Sequence, residues 1–182
     1  MADKSLPSPE VLRQLLQYEP ETGKLFWRER PRELFDCDRL FKSWNTRYAG
    51  QEALVVKFMG YRAGGVGGHR ALAHRVVWAM QTGAWPTDDI DHINGVRNDN
   101  RMENLRAVTP AENLKNVRRK ASNTSGFTGV DYLKVMKSWR ARIHSDGKEI
   151  VLGYFSTAEK AGAARKAADP DYGFHENHGR AG

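Results

Sequence analysis

Asp91-His92, Asn104 and Asn113 are the residues whose types and spacing could do chemistry. Within 23 positions they gather a carboxylate, an imidazole beside it and two carboxamides. That set suits the cutting of a phosphodiester bond. Such hydrolysis needs a base for water, a cation to stabilise charge on the phosphorane and leaving oxygen, and in-line geometry. His92 is the natural base, because imidazole titrates near neutral pH. Asp91 offers a hard anionic oxygen to a divalent ion. Asn104 can fix the imidazole tautomer through its carbonyl oxygen, and Asn113 can bring a second oxygen to the cation. Neighbours on a strand point to opposite faces, so the Asp91-His92 pair implies a twist or bulge there.

The elements around these residues can be read from periodicity and turn chemistry. Pro9 to Tyr18 reads as a short helix, and Leu25-Phe26-Trp27 as a strand after the turn Glu21-Thr22-Gly23-Lys24. A polar, irregular stretch follows to about Gly50. Leu54 to Phe58 and Gly60-Tyr61-Arg62 read as strand pieces. Gly64-Gly65-Val66-Gly67-Gly68 lacks the Gly-Lys-Ser/Thr ending of a phosphate loop and reads as a flexible turn. Leu72, Val76, Val77 and Met80 recur at helical spacing over 70–81, with Gly83 as the stop. Thr109-Pro110-Ala111-Glu112 carries an N-cap, a first-turn proline and a capping box, and predicts a helix running into Arg118-Arg119-Lys120. Residues 122–126 read as a linker. Beyond it lie three short strands at 127–130, 138–143 and 150–155, with Asp146-Gly147 as a hairpin signal. Thr157 caps an alanine-rich helix to about Ala168, and the tail beyond Phe174 is expected to be loose.

Composition sets the partner. The 182 residues carry a net charge of +7. Between Lys115 and Lys148 nine Lys or Arg face only two acids, Asp131 and Asp146. Clustered cations of this kind favour a polyanion, because binding releases its condensed counterions. The length suits one ordinary domain or two small ones, and the low hydropathy argues against one large core. No run of about 20 apolar residues exists to span a bilayer, so no membrane is expected. The N-terminus has no apolar secretory segment, and Cys37 is alone, which excludes an internal disulfide. A cytoplasmic protein is expected.

The segment resembles the HNH endonucleases, the ββα-metal fold, in particular the phage and intron-encoded homing type. Asp91-His92 matches the pair ending the first strand, Asn104-Leu105 the pair on the second, and Asn113 the final letter on the helix. The resemblance implies His92 as general base, Asn104 as its orienter, and Asp91 with Asn113 as ligands of one divalent ion. Asn113 stands where many members have His. An all-oxygen shell suits Mg²⁺ or Mn²⁺ better than Zn²⁺. The paired cysteines of some members are missing, so packing must hold the helix. Tyr18 to Trp27 and Ala73 to Trp78 resemble the N-terminal region often fused to this family. His74 is expected to pack or to contact phosphate, while His69, His144, His175 and His178 take no part in cutting.

The C-terminal strands resemble the Apetala/ethylene-response type of DNA-binding domain. The pieces are Thr128-Gly129-Val130, Trp139-x-Ala141-x-Ile143, Leu152-Gly153-x-Phe155 and Thr157-Ala158-Glu159-x-Ala161. That resemblance implies a three-stranded sheet laid in the major groove and backed by one helix. Alternation puts Ala141 and Ile143 on the packing face, and Ser138, Arg140, Arg142 and His144 on the DNA face. Lys115, Arg118, Arg119, Lys134 and Lys137 are expected on phosphates. Thr128 and Val151 depart from that family, which has Arg and Trp there, so no sequence preference carries over.

The expected architecture is therefore α+β. An N-terminal mixed extension (1–49) leads to a nuclease core (50–121), a linker (122–126), a three-stranded antiparallel sheet packed on one helix (127–170) and a tail (171–182). The expected function is metal-dependent, site-directed cutting of double-stranded DNA, with one or both strands cut, by a monomer or weak dimer, in the host cytoplasm if phage-encoded. A non-cutting DNA-binding regulator derived from such a nuclease is the alternative, and the complete residue set argues against it. RNA is disfavoured, because A-form helices hide the major groove.

Overall fold

The computed structural model describes residues 6–180 apart from 118 and 146. The chain divides into two compact units, Met1–Val108 and Thr109–Gly182. Both mix helices with small antiparallel sheets, an α+β fold.

The first unit opens with α1 (Pro9–Leu15), capped by the Ser8 hydroxyl and started by Pro9. The helix ends three residues earlier than its periodicity suggests. Leu16 to Tyr18 instead enter β1 (Leu16–Glu19), which pairs with β2 (Lys24–Trp27). The stretch expected to be irregular holds a helix, α2 (Asp38–Tyr48). Its partners are aromatic: Trp44 meets Trp27 edge-on at 5.8 Å, and the Arg30 guanidinium sits 3.9 Å above the Trp44 ring. Phe41, Trp44 and Tyr48 lie on one side of α2 at helical spacing, but no residue of the helix is fully buried, and polar residues separate them in the sequence.

β3 (Val56–Phe58), β4 (Tyr61–Val66) and β5 (His69–Leu72) form a meander. Only Gly67 and Gly68 make the expected turn; Gly64 and Gly65 are strand residues. A Cβ at Gly64 would lie 2.8 Å from Leu54 Cα, so close backbone approach explains that glycine. α3 (Ala73–Thr82) follows and ends at Gly83, whose left-handed conformation stops it as expected. Val76, Val77, Ala79 and Met80 fill the core with Leu12, Leu16, Leu25 and Ile90. Arg75 donates to the carbonyls of Pro86 and Asp88 at 2.7 and 3.1 Å, pinning the turn that delivers β6 (Asp89–His92). β6 pairs antiparallel with β7 (Leu105–Val108).

The second unit begins at α4 (Pro110–Leu114), with both halves of the expected capping box made. It stops before the basic run instead of continuing into it. From residue 115 the chain is held from outside: Lys115 O and Val117 O accept from His175 N and Gly179 N, and Arg119 N donates to Arg180 O. The tail expected to be loose is thus laddered onto 115–119. β8 (Val130–Leu133), β9 (Ser138–Ser145) and β10 (Lys148–Phe155) form the three-stranded sheet, in the order β10-β9-β8. β8 starts three residues later than expected, because Phe127 turns inward to pack on the small core of Val130, Ala141 and Ala161. Ser145 pairs with Lys148, which leaves a two-residue turn; Gly147 takes the positive φ such a turn needs, and Asp146 lies outside the described residues. α5 (Ala158–Ala168), capped by Thr157, backs the sheet.

Candidate active site

β6 is short and its alternation is regular. Ile90 and His92 turn inward, while Asp91 turns to the other face. The register with β7 is unbroken from Asp89↔Val108 to His92↔Leu105, so the expected bulge is not there. Adjacent side chains here serve different neighbours because a strand sends them opposite ways.

His92 is only 3% exposed. Its Nε2 lies 3.0 Å from Asn100 Oδ1. A carbonyl oxygen can only accept, so Nε2 carries the proton and the lone pair belongs to Nδ1. Two further rings complete the surroundings. His74 meets His92 edge-on at 5.1 Å, and Tyr61 lies 5.9 Å from it. Burial lowers the pKa of His92, against the raising pull of the Asn100 bond and of Asp91 and Asp99. Burial, with help from His92 and Arg75, pushes His74 down to about 3. Both rings are therefore neutral at pH 7. His74 is a packing residue, buried with its Nδ1 unbonded among the described residues.

The residue at the imidazole is thus Asn100, where Asn104 was expected. Asn104 is buried at the foot of the loop between the strands and braces it. Its Oδ1 accepts from Asn94 N at 2.9 Å, and its Nδ2 donates to Asp99 O at 2.8 Å. Its side chain is committed there because it closes a β6–β7 connection with little secondary structure of its own. Asp99 stiffens the same loop through two 2.8 Å bonds from Arg101 and one of 2.7 Å from Asn94. The Arg101 guanidinium holds Asp99 down to about 2, so it is ionised.

The N-terminal hairpin positions Asn100. Tyr18 Oη donates to Asn100 O at 3.3 Å and accepts from Met102 N at 2.9 Å. Gly23, with φ +70°, brings its backbone against Asn100 and Arg101. A Cβ there would fall 2.5 Å from Arg101 N. The Glu-Thr-Gly turn that looked like a fused extension is therefore part of the support of this loop.

Asp91 is partnered across the strands. Arg106, its register neighbour, donates to Asp91 Oδ2 through Nη2 at 2.8 Å and Nε at 3.1 Å. The Asp91 side chain is 11% exposed and faces the Arg106 guanidinium. Arg106 went unremarked in the sequence; its cross-strand place opposite Asp91 was the signal that could have found it. Asn113 lies on α4, in the second unit, one turn after the Thr109 cap. Among the described residues no three His, Cys, Asp or Glu side chains cluster as a metal site. Asp91 offers a hard anionic oxygen and Asn113 a neutral one, each the donor type that a divalent ion such as Mg²⁺ takes.

In the second unit the sheet alternates as expected, with Ala141 and Ile143 buried against α5 and Arg140, Arg142 and His144 on the other face. That face is internally neutralised. Arg140 and Arg142 both pair with Asp131 and with Glu149, at 2.5 to 3.2 Å, and His144 lies 3.3 Å from Glu149. The bond from Arg142 lowers the Glu149 pKa, and the bond to Asp131 raises that of Arg140. Ser138 begins β9, and Lys134 and Lys137 flank the β8–β9 turn, where Lys137 takes a positive φ. Lys115 and Arg119 lie in the 115–119 segment, and Arg118 lies outside the described residues.

No helix among the described residues is long and apolar enough to cross a membrane. No solved structure matches the chain. Protein 3.8 of Escherichia phage T7 is similar, with 36% identity over 77 residues, which are 42% of this chain and 64% of that protein. The chain thus spans less than two thirds of that relative's length. Residues 71–115, from β5 through β6 and β7 to α4, match the family described as HNH endonuclease. The residues that hold the Asp91-His92 pair thus lie in a segment similar to the HNH endonucleases, in a chain similar to a phage protein.

Proposed function

We propose that this protein is a metal-dependent DNA endonuclease of the homing type, cutting double-stranded DNA with His92 as general base. The observation that carries the reading is the His92–Asn100 contact beside Asp91, within the segment that matches the HNH family. Asn100 fixes the tautomer that keeps a lone pair on Nδ1, and burial keeps the ring neutral and ready to take a proton from water. Asn104 holds the loop that carries Asn100. Asp91 and Asn113 would hold one Mg²⁺ or Mn²⁺ per site. The ion, when bound, supplies positive charge for the phosphorane and the leaving oxygen. One such centre cuts one strand, so the monomer nicks, and a double-strand break needs a weak dimer or two events.

The second unit is read as the DNA reader, of Apetala type. Its support is the sheet with one face packed on α5 and the other carrying Ser138, Arg140, Arg142 and His144. Because Asp131 and Glu149 balance the two arginines, affinity rests on Lys115, Arg118, Arg119, Lys134 and Lys137 against phosphates. The arginines exchange their carboxylates for guanine edges, which gives discrimination. Acting on DNA places the protein in the host cytoplasm if it is phage-encoded.

Supercoiled plasmid incubated with the protein and Mg²⁺ tests the reading. Nicked circles are expected with the parent chain and none with His92→Ala, which keeps DNA affinity. Cutting that survives in His92→Ala, contaminating nuclease excluded, refutes the assignment. Binding without cutting by the parent would favour the non-cutting regulator.

A further inference from the structure

The second unit encloses a cavity of about 840 Å³ between the 114–123 segment, the β9–β10 end of the sheet, α5 and the tail. Its described lining residues include Lys115, Arg119, Lys120, Arg142 and Arg165, and no acid. Arg142 and Arg165 have carboxylate partners elsewhere, Arg165 with Asp169. Lys115, Arg119 and Lys120 make no ion pair among the described residues; the side chains of Lys115 and Arg119 donate to the carbonyls of Tyr172 and Gly126. Three cations with no ion-pair partner among the described residues create a field that an anion relieves.

The lining also holds unspent hydrogen-bonding groups. Thr128 Oγ1, Arg165 Nε and His178 Nδ1 are buried and have no hydrogen-bond partner among the described residues. All three residues line the cavity. Native interiors rarely leave such atoms unpaired, because an unmet buried polar group loses the hydrogen bond it would make in water. Three in one place mark a wall shaped for a polar ligand rather than for packing. Leu114, Val117, Ile143 and Phe174 add an apolar side. The volume exceeds one phosphate and falls within the range of small-ligand sites, about 300–1,000 Å³.

We infer that this cavity binds a nucleotide through its phosphate, met either as a free nucleotide or as the phosphorylated end of a DNA strand. The cations and the Thr128 hydroxyl take the phosphate, and the apolar side takes sugar and base. The site goes beyond the cutting reading: every described lining residue belongs to the second unit, and the site stands whether or not the first unit cleaves DNA.

Calorimetric titration of the full chain in EDTA, where cutting cannot proceed, tests it with three probes. These are deoxyadenosine 5′-monophosphate and one short duplex carrying either 5′-phosphate or 5′-hydroxyl. Thr128→Val removes only the unpaired hydroxyl and keeps or raises the melting temperature, yet weakens binding about tenfold. Lys120→Gln weakens it by a similar factor, and Thr128→Ser restores parental affinity. Binding of the free nucleotide identifies the first source; a preference for the phosphorylated duplex alone identifies the second. Equal affinity for both duplexes with no binding of the nucleotide overturns the inference. So does parental affinity in Thr128→Val, including the case where Lys120→Gln alone is weakened, which is mere surface attraction.

Discussion

His92 and Asn100 meet across the β6–β7 loop, with Nε2 3.0 Å from Oδ1, both side chains buried. The bond sets the proton on Nε2 and leaves the basic nitrogen as Nδ1. Asn100→Ala is therefore expected to slow plasmid nicking about 100-fold while DNA affinity in a gel-shift assay stays parental. An undiminished rate would return the orienting role to Asn104.

Arg106 competes for the carboxylate proposed as a metal ligand, since both its contacts fall on Asp91 Oδ2. Removing the guanidinium in Arg106→Ala should tighten Mn²⁺ binding several-fold, read from the loss of free Mn²⁺ signal in electron paramagnetic resonance. Unchanged or weaker binding would show that Arg106 orients Asp91 rather than competing for it.

His74 links stability to acid. Its pKa is held down to about 3 in the fold against an ordinary value near 6.5, so the native state binds fewer protons in that window. Stability is full above about pH 6.5 and is lost as pH falls toward 3, by at most about 1.4 kcal/mol per unit. His92, also lowered, pushes the same way. Between pH 7 and pH 5, urea unfolding followed by tryptophan fluorescence should show the parent losing about 1–2 kcal/mol more than His74→Leu. Parallel losses would contradict the burial argument.

Gly162 lies within α5, where alanine ordinarily stabilises. Here a Cβ would fall 2.6 Å from Phe127 Cγ, against the ring that packs on the core of the second unit. Gly162→Ala should thus destabilise by about 1–3 kcal/mol, seen as a lower melting temperature. A rise would mean that Phe127 yields without cost.

Affinity for duplex DNA should fall steeply with salt if the lysines of the second unit meet phosphates. For about six phosphates the loss between 50 and 200 mM salt is about a thousandfold. Fluorescence anisotropy of a labelled duplex measures it, and a shallow slope would reduce the basic stretch to a solubilising surface.

Residue types and local spacing marked the candidate residues. Asp91-His92, Asn104 and Asn113 stood out because each lies at the end or start of a short element, and the Thr109 capping box, the Gly83 stop and the sheet alternation at Ala141 and Ile143 are written in neighbouring residues. Contacts between residues far apart in the chain were not legible. Nothing near Asn100 says that Tyr18 and Gly23, some 80 positions away, hold its backbone in place. Cross-strand register, which needs both strands, put Arg106 on Asp91 and set Asp131 and Glu149 against the sheet arginines. Helix α2 escaped because its Phe41, Trp44 and Tyr48 are set among polar residues and Trp44 meets Trp27 only in the fold, and the chain leaves α4 early because the tail takes up the backbone groups of Lys115, Val117 and Arg119. Local sequence fixes propensities within a few residues; which groups spend their hydrogen bonds and charges on one another is decided when distant segments meet.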